Sequence, residues 1–386
     1  MKLIRYVLFA LFLAIPFYLI RQVTHYANFS PGLNAVVITF LLTLFGIIFS
    51  LPIFFWGKRD SVLKKWHDTY FDAAHLALAY INFILAFVVI RDLFSFIAHF
   101  AWPEMTTEVL YGETSALVVI VLPLTFILLG TLIVRLGPKQ KDVPLHFTNL
   151  PPAFENFRIL HITDLHIGQG LPKKFTERLI QKSQQIQNLD MVVYTGDILD
   201  GAIARHQSEL SLLKDIPSKY GNYYVPGNHE YYWNGHNAIE AFQKLGFHVL
   251  LNQTKDIQIQ DHILQISGIP DPAARSFRME GPDDEKLKKT LHGASFKLLL
   301  AHQPNFAPIA AAAGYDLQLS GHTHGGQFFP WNFLIGFFQK YAKGSYNIDK
   351  MQLYVNQGTG YWGPSIRLGT YCELAVIVLN SKKGLL

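Results

Sequence analysis

The first third of the chain alternates long apolar runs with short polar segments, and this pattern predicts membrane-spanning helices. The four runs cover roughly residues 3–20, 35–56, 74–90 and 116–134, each close to the ~20 residues that cross a hydrocarbon core as a helix. Helices of a water-soluble bundle would keep a polar stripe at helical spacing, and residues 118–129 show none. The first run also resembles a cleaved signal peptide, but no small-residue cleavage site follows it, which favours a retained helix.

Lysine and arginine near the ends of the predicted spans indicate their orientation, because short loops rich in these residues stay on the cytoplasmic side. The basic residues that fall on one side are Lys2, Arg5, Lys58, Arg59, Lys64, Lys65, Arg135, Lys139 and Lys141. The alternate loops hold Arg21, and Arg91 with the acidic Asp92. We therefore expect an integral protein of the inner or plasma membrane, with both termini and the C-terminal domain in the cytoplasm.

From about residue 137 the pattern changes to short β-type runs that each end in a polar cluster. Predicted strands cover residues 158–163, 191–195, 223–225, 297–301 and 317–319, and a helix-like stretch covers residues 173–188. A strand, helix, strand order is typical of an α/β fold with a mainly parallel sheet. The sequence thus predicts a transmembrane four-helix region over residues 1–137, a linker over residues 138–157 and an α/β domain over residues 158–386.

Composition narrows the classes of protein to which this chain can belong. Half of the 386 residues are apolar, 16% are charged and the mean hydropathy is +0.19, which excludes a disordered chain. The single cysteine, Cys372, excludes an intramolecular disulfide and a thiolate metal cluster, so a metal site must use His, Asp, Glu or Asn. The formal charge is only +5 and many basic residues lie near the predicted spans, so no nucleic-acid partner is expected.

Residue types that bind metals follow each of the five predicted strands, at the strand ends where ligands of α/β sheets collect. In chain order the clusters are Asp164-Leu165-His166, Gly196-Asp197, Gly227-Asn228-His229-Glu230, His302, and Gly321-His322-Thr323-His324-Gly325. Any one of them alone is an ordinary turn or helix cap. Five clusters of one chemical type at successive strand ends indicate a metal site instead.

This ordered set of motifs resembles that of the calcineurin-like metallophosphoesterase superfamily, from residue 158 to about residue 379. The resemblance implies a two-sheet β sandwich flanked by helices, and a hydrolase that cleaves phosphodiester or pyrophosphate bonds with a hydroxide bridging two metal ions. The segments Gly-His-Thr-His-Gly-Gly-Gln and Gly-Thr-Gly-Tyr-Trp-Gly-Pro-Ser-Ile-Arg-Leu-Gly resemble a narrower branch. That branch comprises membrane-associated bacterial phosphoesterases and includes enzymes that cleave UDP-2,3-diacylglucosamine.

Carried over position by position, the resemblance implies two divalent cations, and the mixed nitrogen and oxygen ligands suit Mn, Fe or Zn. Asp164, His166 and His324 would hold one ion, Asn228, His302 and His322 would hold the other, and Asp197 would bridge both. His229 resembles the histidine that stabilises the phosphate or protonates the leaving group. The predicted catalytic residues are therefore His229, Asn228 and Asp197.

The positions of several further residues suggest roles in substrate binding, ligand orientation or core packing. Arg275 and Arg278, in a loop after a β-type run, and Arg367, in the end segment, are candidate substrate-binding residues because guanidinium groups grip phosphate bidentately. An ordinary solvated loop is an equal alternative for the first two. We expect Asp200 either to orient a neighbouring ligand or to cap the next helix, and His161 to be a packed core residue.

The predicted membrane location favours a phosphorylated lipid or a lipid-linked pyrophosphate as the substrate, since a domain tethered to a bilayer works close to its surface. The aromatic run over residues 328–338, with Lys340 and Lys343 soon after it, fits either a lip that contacts lipid or an ordinary core segment. Two other functions stay open: a phosphodiesterase that acts on soluble nucleotides, and a non-catalytic membrane sensor or scaffold.

Overall fold

The computed structural model describes residues 2–55, 65–102, 107–168 and 170–382. The chain divides into two compact units, Met1–Leu132 with Gly363–Ser365, and Ile133–Trp362 with Ile366–Leu386. The N-terminal region is helical, and its helices are α1 (Lys2–Thr24), α2 (Pro31–Phe55), α3 (Lys65–Ala101), α4 (Thr107–Tyr111) and α5 (Glu113–Arg135).

Three of these helices are long and apolar enough to cross a membrane, judged by length and composition among the described residues. They contribute the segments Pro31–Leu51, Trp66–Phe100 and Val109–Arg135. The predicted span over residues 3–20 is helical within α1, and its role as a fourth span stays a prediction. Lys58, Arg59 and Lys64 lie outside the described residues, so the cytoplasmic orientation stays a prediction as well.

Arg91 and Asp92, expected in a loop, instead lie within α3, which continues past the predicted span. Arg91 Nη2 donates to the backbone carbonyl of Gln22 at 3.0 Å, and the Tyr18 hydroxyl donates to Asp92 Oδ2 at 2.7 Å. The Arg91 guanidinium also lies 4.4 Å from the centroid of the Tyr111 ring. Both charges therefore have partners within the helical unit, and for this reason the polar pair does not end the helix.

The second unit is built on two six-stranded sheets. Its strands are β1 (Lys139–Phe147), β2 (Phe157–Ile162), β3 (Ile167–Gly168), β4 (Met191–Thr195), β5 (Leu199–Asp200), β6 (Asn222–Val225), β7 (His248–Val249), β8 (Gln253–Ile259), β9 (His262–Ile269), β10 (Phe296–Ala301), β11 (Leu317–Ser320), β12 (Gly344–Ile348), β13 (Met351–Val355) and β14 (Glu373–Ser381). The first sheet has the order β1-β14-β2-β4-β6-β7 and the second the order β12-β13-β11-β10-β9-β8, while β3 and β5 form a short pair. Neighbours β2, β4 and β6 are parallel, and so are β9, β10, β11 and β13.

The two sheets pack face to face over one apolar core, as a β sandwich. Ile159 and Val193 of the first sheet meet Ile266 and Leu300 of the second in this core, and all four are fully buried. Alternate residues of the first sheet point to its other face, where Leu160 packs with α6 and α9. The helices of this unit are α6 (Lys173–Gln184), α7 (Ile203–Ser211), α8 (Asn228–Tyr232), α9 (Gly235–Lys244), α10 (Asp284–Thr290), α11 (Ala307–Ala313) and α12 (Trp331–Phe338).

The segment 138–157, predicted to be a linker, belongs to this unit, because β1 runs parallel to β14 at the edge of the first sheet. Val143, Leu145 and Phe147 occupy alternate positions of β1 and are at most 7% exposed. Pro144 obscures the strand pattern in the sequence, but an edge strand tolerates a proline. The linker prediction is therefore wrong.

His161 lies in β2 and is fully buried, as expected of a core residue, with its Nε2 2.7 Å from Thr195 Oγ1. Burial lowers the pKa of His161 to about 3, whereas a histidine in an unfolded chain has a pKa of ~6.5. As the pH falls through this window, the unfolded chain binds a proton that the folded protein excludes. The folded state therefore loses stability relative to the unfolded state toward acid pH.

We expect the substitution His161→Gln to weaken this acid sensitivity, because glutamine can still hydrogen-bond with Thr195 but does not titrate. In the wild-type protein this one residue contributes a loss of up to about 1.4 kcal/mol per pH unit below its unfolded pKa. Melting temperatures measured across the window should fall less steeply in the variant than in the wild type. Parallel curves would show that His161 does not cause the acid sensitivity.

Candidate metal centre

The carboxyl ends of five strands bring the predicted ligands together at one edge of the sandwich. β2 leads to Asp164, β4 to Asp197, β6 to Asn228, β10 to His302 and β11 to His322. Neighbouring parallel strands end at the same edge, so residues far apart in the sequence become neighbours there. His166 and His324 follow two residues after the first and last of these, and all seven predicted ligands lie in this cluster.

One group joins Asp164, His166 and His324, whose ligand atoms all lie within 4.8 Å of one another. His324 Nε2 lies 3.1 Å from His166 Nε2 and 3.4 Å from Asp164 Oδ1. The three side chains are 0–13% exposed. Two imidazole nitrogens and a carboxylate oxygen thus converge on one point, the arrangement that surrounds a bound divalent cation.

A second group joins Asp197, His302 and His322 at the same spacing. His302 Nε2 lies 3.2 Å from Asp197 Oδ2 and 3.1 Å from His322 Nδ1. Asn228 Oδ1 lies 3.2 Å from the same His302 nitrogen, so the predicted amide ligand joins this group. Oxygen and nitrogen donors of this kind suit a second divalent cation.

Asp197 connects the two groups through a single oxygen. Its Oδ2 lies 3.2 Å from His302 Nε2 and 4.0 Å from His166 Nε2, while its Oδ1 accepts a hydrogen bond from the His229 backbone at 2.8 Å. Burial raises the pKa of this carboxyl, but the surrounding histidines, His302 first, more than offset burial and hold the pKa well below its usual range. Asp197 is therefore a carboxylate, and a shared anion in this position fits two cations because it offsets their repulsion.

Five of the seven predicted ligands have left-handed backbone, which is uncommon outside glycine. The φ angle is 51° at Asp164, 56° at His166, 52° at Asp197, 75° at His322 and 51° at His324. Such conformations cost roughly 1–3 kcal/mol each and cluster at functional sites. The backbone of this loop cluster is thus shaped to aim side chains at the centre.

Two glycines let the ligand loops approach each other this closely. A Cβ atom on Gly227 would lie 2.2 Å from Asp197 Oδ1, and one on Gly321 would lie 2.1 Å from Asp164 Oδ2. Any side chain at either position would therefore displace a carboxylate ligand.

Hydrogen bonds from neighbouring loops fix the orientation of individual ligands. The Thr163 hydroxyl donates to Asp164 Oδ2 at 2.7 Å, and the His322 backbone N–H donates to the same oxygen at 2.9 Å. His302 Nδ1 donates to the Thr195 carbonyl at 2.7 Å. This bond leaves the lone pair of His302 on Nε2, the atom that faces the other ligands.

Glu230 was part of a predicted motif, but sequence reasoning gave it no role. It is fully buried, and its two oxygens accept hydrogen bonds from the backbone N–H groups of Asp197, Ile198, Leu199 and Gly227 at 2.7–3.0 Å. One carboxylate thus ties the loop after β4 to the loop after β6. Its position two residues after Asn228 was the available clue, but three of its four backbone partners lie some thirty residues away in the sequence.

Asp200 holds histidines that face the centre. Its Oδ1 accepts hydrogen bonds from His229 Nδ1 at 2.9 Å and Trp233 Nε1 at 2.7 Å, and its Oδ2 lies 3.4 Å from His166 Nδ1. Helix α7 has no side-chain cap among the described residues, so the capping alternative for Asp200 is wrong. Burial lowers the pKa of His229, but the Asp200 and Asp197 carboxylates outweigh burial and raise this pKa to about 9.

The three arginines predicted to bind substrate lie in different settings. Arg367 is fully buried, donates to the Gly360 carbonyl at 2.7 and 2.9 Å, and has Nη2 3.3 Å from His324 Nδ1. This corrects the prediction for Arg367, because backbone carbonyls occupy its donors and the side chain supports a ligand histidine instead. Arg275 and Arg278 are exposed, Arg275 donates to a backbone carbonyl at 2.7 Å, and their contact with a substrate stays a prediction.

Comparison with known proteins agrees with this geometry. Residues 157–326 match the model of the calcineurin-like phosphoesterase family. An uncharacterised metallophosphoesterase of Campylobacter jejuni is 36% identical over 64% of this chain and 64% of the relative. A transmembrane protein with metallophosphoesterase domain from Danio rerio is 31% identical over 63% of this chain and 57% of the relative. The chain thus spans less than two thirds of the length of these relatives, and the narrower resemblance to enzymes that cleave UDP-2,3-diacylglucosamine stays a prediction.

A solved calcineurin-like phosphoesterase of Bacillus subtilis superposes with a TM-score of 0.39 at 17% identity, over 52% of this chain and 81% of that structure. The family match itself begins with β2 and ends just after His324, so it contains every predicted ligand. Residues 157–326 of this chain therefore match the calcineurin-like phosphoesterase family over the segment that contains the candidate metal centre.

Proposed function

We propose that this protein is a membrane-bound phosphoesterase that uses two divalent cations to hydrolyse phosphodiester or pyrophosphate bonds of phosphorylated lipids or lipid-linked substrates, at the cytoplasmic membrane face. The observation that carries the hydrolase assignment is Asp197 Oδ2, which lies within 4.0 Å of a histidine from each ligand group. Three candidate spans and the transmembrane relative from Danio rerio support the membrane location.

The bound cations and the side chains around the centre would have different roles in hydrolysis. When bound, the two cations would supply Lewis acidity toward the phosphoryl oxygens and a nucleophile at neutral pH. His229 Nδ1 donates a hydrogen bond to Asp200 Oδ1, and the raised pKa of His229, about 9, favours a second proton on Nε2 at neutral pH. As the new P–O bond forms and the bond to the leaving oxygen breaks, this Nε2 proton neutralises the departing oxygen.

Exposed aromatic side chains border His229 and favour a substrate with an apolar or ring-bearing part. Tyr232 and Trp362 are 40% and 47% exposed, and their ring centroids lie 5.1 and 5.8 Å from that of His229. An acyl chain or isoprenoid packs against such rings. A soluble nucleotide is the second candidate, because the same rings can stack on a base.

Full-length protein purified in detergent and loaded with Mn²⁺ tests the proposal. We expect it to hydrolyse a chromogenic phosphodiester and, in mixed micelles, to prefer lipid phosphodiesters or lipid-linked pyrophosphates over nucleotides. If the protein hydrolyses nucleotides and leaves every lipid intact, its substrate is a soluble nucleotide and the lipid proposal is wrong. If metal-loaded protein hydrolyses none of these substrates, the non-catalytic membrane sensor or scaffold is the remaining candidate function.

We expect Asp200→Asn to lower kcat/KM for the chromogenic phosphodiester by roughly 10–100-fold, the usual effect of losing a carboxylate that orients ligands. The asparagine keeps the size of the side chain but loses the charge that raises the pKa of His229. Because His229 acts as a general acid and must be protonated, the alkaline limb of the pH–rate profile should move to lower pH. Asp261→Asn, in an exposed turn between β8 and β9, is the matched control and should behave as wild type.

A further inference from the structure

Helix α12 carries large apolar side chains on its surface. Phe333, Phe337 and Phe338 are 71%, 85% and 71% exposed, and Leu334 is 37% exposed. Asn332 is the one polar side chain of this eight-residue helix. Apolar patches of this kind mark surfaces that bind a protein or a membrane.

Short, hydrogen-bonded backbone joins α12 to the loop that carries His324. The helix begins seven residues after His324, and the Asn332 N–H donates to the Phe328 carbonyl at 3.2 Å. Between them, the Gln327 side chain makes two hydrogen bonds with the backbone of Trp362, at 2.9 and 3.0 Å. A surface that binds α12 is therefore held close to the metal-ligand loop.

The segment around α12 is positively charged. Lys340 and Lys343 follow the helix and are exposed, and no acidic residue occurs from residue 317 to residue 348. This combination suits the surface of an anionic bilayer, where aromatic rings enter the boundary between headgroups and acyl chains and lysines meet lipid phosphates. The charge therefore selects an anionic occupant for the exposed helix.

The chain itself supports a bilayer as that occupant. Only three residues separate the end of α5, which contains a candidate span, from the start of β1 in the phosphoesterase domain. Three residues span at most about 11 Å, so a domain on this tether stays at the surface of the membrane that α5 crosses. A second copy of the chain and an acidic protein are the alternative occupants that the experiments below distinguish from the bilayer.

We propose that α12 inserts into the headgroup region of an anionic lipid leaflet and holds the His324 loop beside lipid phosphates. This inference rests on the proposed membrane location of the function. It adds a second contact with the bilayer, made by the phosphoesterase domain itself. The substrate phosphate then reaches the metal ligands without the lipid leaving the leaflet.

A fluorophore on α12 tests insertion without requiring turnover. Phe337→Cys is labelled with an environment-sensitive dye in the full-length protein in anionic nanodiscs, and unsubstituted protein is the labelling blank because its single cysteine, Cys372, is 1% exposed. We expect blue-shifted emission that lipids spin-labelled near the headgroup quench more strongly than lipids labelled deep in the acyl chain. Ile309→Cys, 40% exposed on α11, is the matched control and should show neither effect.

Three outcomes would overturn the proposal: water-like emission from the Phe337→Cys label, a blue shift that no lipid quenches, and equal quenching of the Ile309→Cys label. The second outcome would place α12 against protein, such as another copy of the chain. If lipids quench the Phe337→Cys label but the protein has no hydrolytic activity, the proposed function is wrong and membrane insertion of α12 is still supported.

The charge reversal Lys340→Glu with Lys343→Glu tests the electrostatic part of the proposal. We expect it to reduce quenching of the Phe337→Cys label in anionic nanodiscs and to leave quenching in neutral nanodiscs unchanged. Unchanged quenching in anionic nanodiscs would overturn the selection of an anionic leaflet.

Discussion

Replacing Asp197 by alanine is expected to lower kcat/KM for a chromogenic phosphodiester by roughly 10⁴-fold or more, the scale on which removing a central catalytic group acts. Asp197 Oδ2 reaches a histidine of both ligand groups, at 3.2 and 4.0 Å. Without this shared carboxylate, two cations would face each other with less compensating negative charge. We therefore expect the purified variant also to contain less metal than the wild type.

Asp261→Ala provides the matched control for this experiment, because it removes a carboxylate from an exposed turn of the same domain. It should keep wild-type activity and metal content. Wild-type activity in Asp197→Ala would show that the two-cation interpretation is wrong. Loss of activity with wild-type metal content would instead limit Asp197 to a role in catalysis.

Removing the metals is expected to abolish hydrolysis and to lower the melting temperature of the full-length protein by roughly 5–10 °C. The reason is linkage: cations that bind the folded centre and not the unfolded chain stabilise folding by ~2.7 kcal/mol at a concentration of 100 times Kd. Metal-free protein also keeps Asp164 buried beside Asp197, and burial raises the pKa of Asp164. Calorimetry or dye-free melting with and without a chelator measures the change.

Restoring Mn²⁺ should recover both the activity and the melting temperature. The Asp197→Ala variant is the internal control, because its melting temperature should respond much less to the chelator. Full activity in protein shown to be free of metal would reject the proposed chemistry. An unchanged melting temperature would show that the cluster does not bind cations tightly.

The convergence of the candidate ligands was predictable because few side chains bind cations and because parallel strands place their carboxyl ends at one edge of a sheet. The sequence shows Asp164, Asp197 and His302 directly after β-type runs, so their convergence required only that the strands be neighbours. The two sheets were implied by the resemblance, and the structure has them sharing one core.

Residues whose roles depend on distant backbone were beyond sequence reasoning. Arginine is a residue type that often binds phosphate, but the guanidinium of Arg367 lies against the carbonyl of Gly360 and the ring of His324. Glutamate is usually a surface residue, yet the Glu230 carboxylate accepts hydrogen bonds from four backbone N–H groups. The local sequence gives the type of each side chain. It does not show which distant backbone groups or side chains the fold places beside it.

Strand β1 and helix α3 show the same limit for secondary structure. Pro144 interrupts the alternation of β1, and only pairing with β14 establishes the strand. Arg91 and Asp92 would end an isolated apolar helix, but Gln22 and Tyr18 supply their partners. In both regions tertiary contacts overrode the local preference.

The left-handed backbone of the ligand loops also bears on how cations enter. Asp164 and His302 are 0% and 1% exposed, whereas His322 and His324 are partly exposed, so an entering cation would meet these two histidines first. Ligand-binding loops in general open locally at lower free energy than the core strands that precede them. We therefore expect the rates of metal uptake and release to depend on the backbone of these turns as well as on the donor atoms.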